Sequence, residues 1–336
     1  SSDLRHQHQL ARDLDRPFLA DLPPSKRLIV VLGLHRSGTT FLYQLLADHF
    51  PLAVTRLVQI THYQRLLYGD REGLTSTYES QLAAHLQARG IADRGIDGFA
   101  VGPDTLEEYA FILRTLTPHW GFHPRHAATF DQMARKLSAL QPDAEALLLK
   151  NPFDLAAAPA ILEAHPGTRF VMIRRDPVRV LNSQFRNSFL YRKQPEPYLD
   201  VLLEGIPAWR LNFRLMAALN RLVPDPAYQA VLVSGLRRSI ERQLEAHYRS
   251  LAALPPESYV EVGYEALIAD PAPTLGRLAE FLELPFREGV SPTPASPRLE
   301  PLLPAVAAAE AGFRRQLDRF PDAQRVHTLP REAAHA

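Results

Sequence analysis

The sequence predicts an α/β protein: a parallel β-sheet flanked by helices, with a mostly helical insertion after the first strand–helix unit. Three observations predict it. Apolar runs of strand length recur, each leading through a short turn into apolar residues at helical spacing, the grammar of right-handed strand–helix–strand crossovers. The runs are continuous rather than alternating, as in strands buried on both faces. The chain is also ordinary in bulk, with 46% hydrophobic and 22% charged residues among 336, enough for a sizeable core.

The elements follow in order. Residues 28–33, "LIVVLG", read as a buried strand closed by glycine. Residues 38–50 place Phe41, Leu42, Leu45, Leu46 and His49 at helical spacing until Pro51 stops the helix. "ALLLK" at 146–150 is a second strand, leading into a helix over about 153–164. "RFVMIR" at 169–174 is a third, and Asp176 followed by Pro177 makes a capped helix start. Two longer helical stretches are expected over 198–222 and 233–254, a strand over 258–262, and an amphipathic helix over 271–284. The proline-rich stretch 285–304 is expected to wrap the surface. The absence of a solenoid-type repeat favours a single domain over 1–336. Its α/β core would take 27–56 and 146–290, with a helical insertion at 57–145 and a C-terminal extension at 291–336.

Composition excludes several classes. Lys+Arg and Asp+Glu nearly cancel, 38 against 37, so no basic field points to nucleic acid. Without cysteine there are no disulfides, thiolate metal sites or cysteine nucleophiles. No window approaches the ~20 apolar residues of a membrane span. The start, "SSDLRHQHQLARDLDRPF", carries neither an initiator methionine nor an apolar secretory core. The expectation is a trimmed or excised segment of a cytoplasmic protein. Oligomeric state is not legible.

The chemistry concentrates at strand ends. "GLHRSGTT" follows the first strand, where backbone N–H groups and a helix N-terminus face an anion. Arg36 adds a forked cation, and Ser37, Thr39 and Thr40 add hydroxyls. The loop is P-loop-like, yet the triphosphate pattern G-x-x-x-x-G-K-[ST] wants lysine where Thr39 stands. Lys150 ends the second strand, at the edge where ligands collect in open α/β sheets. Arg175 follows the third strand, with Ser183 eight residues on. Taken singly these are also ordinary features: a solvated lysine, a surface arginine, a helix serine.

Together they resemble the sulfotransferases that use 3′-phosphoadenosine 5′-phosphosulfate (PAPS), in their bacterial and tyrosylprotein branches. His35-Arg36-Ser37-Gly38-Thr39-Thr40 is similar to the family's 5′-phosphosulfate loop. Arg175-Asp176-Pro177 with Ser183 resembles its 3′-phosphate motif, and "YEAL" from Tyr264 resembles a segment near the adenine. "KNPF" at Lys150 resembles the K-[DS]-P segment. The resemblance implies transfer of a sulfuryl group from PAPS to a hydroxyl or amine, with adenosine 3′,5′-bisphosphate as product and no metal. It implies that Arg36 and Lys150 stabilise the reacting oxygens, that residues 35–40 hold the 5′-phosphate, and that Arg175 and Ser183 hold the 3′-phosphate.

The resemblance thins at the general base. The histidine of the cytosolic K-x-H segment is replaced by Pro152, and the tyrosylprotein branch's glutamate has no counterpart near Arg56 and Leu57. His62, the pair Glu107 and Glu108, and His119 are the candidates. The pair is expected to head a helix whose apolar face uses Leu106, Ala110 and Leu113. The cytosolic R-K-G loop is missing, with Arg325 or His327 as substitutes. Tyr63, Tyr68, Tyr78, Tyr109 and Trp120 are expected to line an apolar pocket for a small lipid-like or aromatic acceptor. Two other readings stay open: a P-loop kinase or NTPase with an atypical loop, and an inactive binding module.

Overall fold

The strand β1 (Arg27–Gly33) runs through the centre of the sheet and feeds two cores at once. Leu28, Val30 and Leu32 point into one, while Ile29 and Val31 point into the other. Each fully buried aliphatic side chain contributes about 1.5–3 kcal/mol, which accounts for the unbroken apolar run. The computed structural model describes residues 13–94, 99–193, 196–287 and 301–320. Arg325 and His327 lie outside the described residues.

Among the described residues, four further strands join β1 in an all-parallel sheet: β2 (Leu52–Ala53), β3 (Ala146–Lys150), β4 (Arg169–Arg174) and β5 (Tyr259–Gly263). Their order is β2-β3-β1-β4-β5. Register pairs Val31 of β1 with Lys150 of β3 and Gly33 with Ile173 of β4. The carboxyl ends of four adjacent strands therefore line up along one edge.

After β1 comes α1 (Thr39–His49), then the insertion with α2 (Leu57–Thr61), α3 (Leu66–Arg71), α4 (Thr75–Ala88), α5 (Ala110–Leu116) and α6 (Ala127–Ala139). The second half carries α7 (Ala158–Ala164), α8 (Pro177–Lys193), α9 (Pro197–Leu202), α10 (Pro207–Arg221), α11 (Asp225–Ala253), α12 (Tyr264–Ala269), α13 (Pro271–Leu282) and α14 (Pro304–Gln316). None of the described helices is long and apolar enough to cross a membrane.

The expected elements are present, with five differences, one of them that the helix expected over 233–254 already begins at Asp225, with Pro226 in its first turn. The helix expected over 153–164 starts only at Ala158. Asn151 accepts from Phe153 N at 3.1 Å and shapes a 3₁₀ turn over Pro152–Asp154 instead. The stretch 198–222 splits into α9 and α10, because Pro207 has no N–H with which to continue a helix and starts a new one. β2 and α12 are additions, each too short to carry a readable period. The stretch 285–304 falls partly outside the described residues. Beyond it, α14 buries Val306 and Phe313 and pairs Arg314 with Asp176 at 3.2 Å, at the mouth of α8.

Candidate active site

The loop after β1 turns through two left-handed residues, Arg36 (φ 69°) and Gly38 (φ 102°). Glycine suits the second doubly: a Cβ there would run into the Tyr264 ring. Arg36 has no such licence, so its conformation is strained and held by neighbours. Its carbonyl accepts from Arg175 Nη1 at 3.1 Å, and its Nε donates to Ser183 Oγ at 3.2 Å. Arg175 in turn lies over the Tyr264 ring, 4.3 Å from its centroid. The loop after β1, the start and body of α8 and the end of β5 are thus locked together.

Lys150, at the end of β3, is fully buried. Its ammonium donates to Thr40 Oγ1 at 3.0 Å and stands 3.3 Å from Glu108 Oε1. Thr40 and Glu108 both line a cavity of about 800 Å³, and Lys150, in contact with both, does not itself line it. The same cavity is lined by His35, Arg36, Gly38, Thr39, Arg175, Ser183 and Tyr264. Burial holds the His35 imidazole below its ordinary value, against the pull of Glu108, and its ring packs edge-on to Phe153 at 4.6 Å. Ser37 is the loop residue that departs from expectation: it does not line the cavity, and its buried hydroxyl lies against Gly33.

Glu108 reaches Lys150 through the backbone. Glu107 N donates to Thr55 O at 2.9 Å and Leu57 N to Thr105 O at 2.8 Å, which zips 105–107 alongside 55–57. The two glutamates therefore precede α5 rather than head it, and Leu106 lies in a bridge with Arg56, off the helix face assigned to it. They also point apart. Glu107 is buried, accepting from Tyr198 Oη at 2.6 Å with Arg94 at 3.5 Å, and does not enter the cavity.

The histidines fall elsewhere. His62 stacks on Tyr78, 4.9 Å between centroids, and lines a separate cavity with Gln64 and Gly205. The structure thus separates it from the strand-end residues, because α2 ends before the chain turns back to the sheet. His119 stacks on His123 at 4.2 Å and is likewise absent from the 800 Å³ cavity.

The apolar wall of that cavity consists of Phe111, Trp120, Phe153, Trp209 and Phe213, among others. Only Trp120 of the expected aromatics belongs to it. Tyr78 and Tyr109 are buried in cores, and Tyr63 packs against one under Lys136. Trp209 and Phe213 were missed because they lie on α10, well past the insertion; their i, i+4 spacing on one helix face was the available signal.

The model of the sulfotransferase family matches residues 29–230 and 226–288, most of the chain. The chain belongs to the sulfotransferase family. It is a transferase of sulfo groups, and the kinase and inactive-module readings are set aside. In fold, this sulfotransferase is similar to the sulfotransferase STF9 from Mycobacterium avium, with 20% identity, 96% of this chain and 73% of that one covered, and a TM-score of 0.52. It is also similar to the sulfotransferase STF1 from Mycobacterium tuberculosis H37Rv, with 19% identity, coverage of 85% and 73%, and a TM-score of 0.51. No curated protein matches the sequence significantly.

Proposed function

We propose that this sulfotransferase takes its sulfuryl group from PAPS and passes it to the hydroxyl of a small apolar or aromatic acceptor. The supporting observation is the convergence at one sheet edge of Arg36, Thr40, Lys150, Arg175, Ser183 and Tyr264, brought there from four strand ends. The residues fit such a donor. Arg175 lines the cavity and has a buried Nε with no hydrogen-bond partner, as suits a group that answers an anionic oxygen. The strand ends carry Lys150 and Arg174-Arg175, where a magnesium-nucleotide site wants an aspartate.

In this reading His35, Arg36, Gly38, Thr39 and Thr40, at the N-terminus of α1, hold the 5′-phosphate, without Ser37. Arg175 and Ser183 hold the 3′-phosphate, with Tyr264 against the adenine. Glu108 is the general base. It accepts the acceptor's proton as the acceptor oxygen bonds to sulfur and the bond from sulfur to the bridging oxygen breaks, releasing adenosine 3′,5′-bisphosphate. Lys150 stabilises charge developing on the bridging oxygen, and its placement before the reaction limits reorganisation. The aromatic wall binds the acceptor and excludes water.

Calorimetric titration with adenosine 3′,5′-bisphosphate, ADP and ATP-Mg²⁺ tests the donor assignment. Tight binding of the bisphosphate with weak binding of the other two is expected, and a preference for ATP-Mg²⁺ would overturn it.

A further inference from the structure

Behind the cavity, one buried carboxylate ties together three segments that each deliver a residue to the site. Asp154, 1% exposed, accepts from Phe122 N at 2.7 Å on Oδ1, and from Tyr109 Oη and Asn151 Nδ2 (2.8 Å) on Oδ2. Asn151 Nδ2 also donates to Trp120 O at 2.9 Å. Tyr109 follows Glu108, Asn151 follows Lys150, and Gly121 follows Trp120. Gly121 has to be glycine for this: a Cβ there would collide with Asp154 Oδ1.

We infer that Asp154 is a positioning residue, setting Glu108 against Lys150 and fixing the Trp120 wall of the cavity. The inference rests on the proposed roles of Glu108 and Lys150. Three donors converge on Asp154, so all three segments keep their places only while both its oxygens accept. A proton on Asp154 would turn one acceptor into a donor facing Tyr109 Oη or an amide N–H. The charged and titratable groups around it are Tyr109, kept protonated by burial, and Glu108 and Lys150 one residue along the chain. The loop before α6 presents the Phe122 main chain, and the turn after β3 presents the neutral Asn151. Burial raises the Asp154 carboxyl to about 6, opposed by its three hydrogen bonds. Its folded pKa lies above the ordinary value, so the ionised form is fully present only well above pH 6. Positioning is then lost as pH falls through 6.

The test is Asp154→Asn, made in the wild type and in Glu108→Gln. Adenosine 3′,5′-bisphosphate affinity is expected to stay within twofold. The melting temperature at pH 7.5 is expected within about 5 °C of wild type, since a buried charge is removed as a hydrogen-bond mismatch appears. Turnover should fall roughly 10–100-fold in the wild-type background and less than about threefold in Glu108→Gln, as for residues acting through one another. The acid limb of kcat near pH 6 should disappear in Asp154→Asn. Equal losses in both backgrounds, or unchanged turnover, overturn the inference. If Asp154→Asn does not fold, Tyr109→Phe removes one of the three donors. It should lower kcat several-fold with the same dependence on Glu108, and additivity would count against the inference. Full turnover in Glu108→Gln would sink the base assignment and the route through it. A slow Glu108→Gln beside a fully active Asp154→Asn would sink the positioning role alone.

Discussion

The donor edge and the aromatic wall face each other across one cavity, and they are built differently. At the donor edge the groups sit at or just past strand ends: the loop after Gly33, Lys150 ending β3, Arg175 after β4, Tyr264 after β5. Parallel register fixes the backbone at these positions through main-chain hydrogen bonds, and short contacts among Arg36, Arg175, Ser183 and Tyr264 hold the side chains. The wall draws Phe111 from α5, Trp120 from the loop before α6, Phe153 from the turn after β3, and Trp209 and Phe213 from α10. Side-chain packing and the Asp154 network hold those segments. A sheet edge suits a ligand that never changes, and a wall assembled from loops and a late helix can be altered without disturbing the sheet.

Substitutions on the two sides should separate cleanly. The largest effect is expected from Lys150→Ala. Single-turnover measurement should show a loss of about 10³-fold, the scale of removing a preorganised charge stabiliser. A smaller and different effect belongs to Arg175→Ala. Calorimetry should find the bisphosphate bound about 10–100-fold more weakly, the worth of a charge-assisted hydrogen bond, with kcat nearly unchanged. Unchanged bisphosphate affinity would remove Arg175 from the 3′-phosphate site. Trp209→Ala tests the wall: KM for an apolar acceptor should rise about tenfold while bisphosphate affinity holds, from lost aromatic burial. A loss of donor affinity instead would mean that the two sides are not independent. The smallest effect is expected at His62, which lines another cavity. His62→Ala should keep kcat within about twofold, as surface and remote changes usually do. A hundredfold loss would return it to the list of bases.

The same contrast explains what the sequence made legible. Residues 33–40, 150 and 175–183 announce themselves because their chemistry is local: a strand end, a turn, a helix start, each within a few residues. β2 stayed hidden because two residues cannot display a period, although its place beside β3 carries the chain toward Thr55 and so toward Glu108. Glu107 and Glu108 could not be told apart, because adjacent residues in an extended stretch face opposite sides and nothing in the sequence says which side is the cavity. Tyr63, Tyr78 and Tyr109 went to packing, while Trp209 and Phe213 came from a helix about 60 residues after β3. Both tryptophans of the chain stand in the wall, so its occupancy is open to intrinsic fluorescence.

The central position of β1 has a consequence for how the chain is made. β1 emerges from synthesis first and can pair with neither neighbour until residues 146–150 and 169–174 exist. At ordinary translation rates that delay is on the order of ten seconds, during which "LIVVLG" is exposed with both hydrogen-bonding edges open. Such a strand invites pairing with a neighbouring nascent chain. Folding of the central strand is therefore tied to the arrival of residues 146–174.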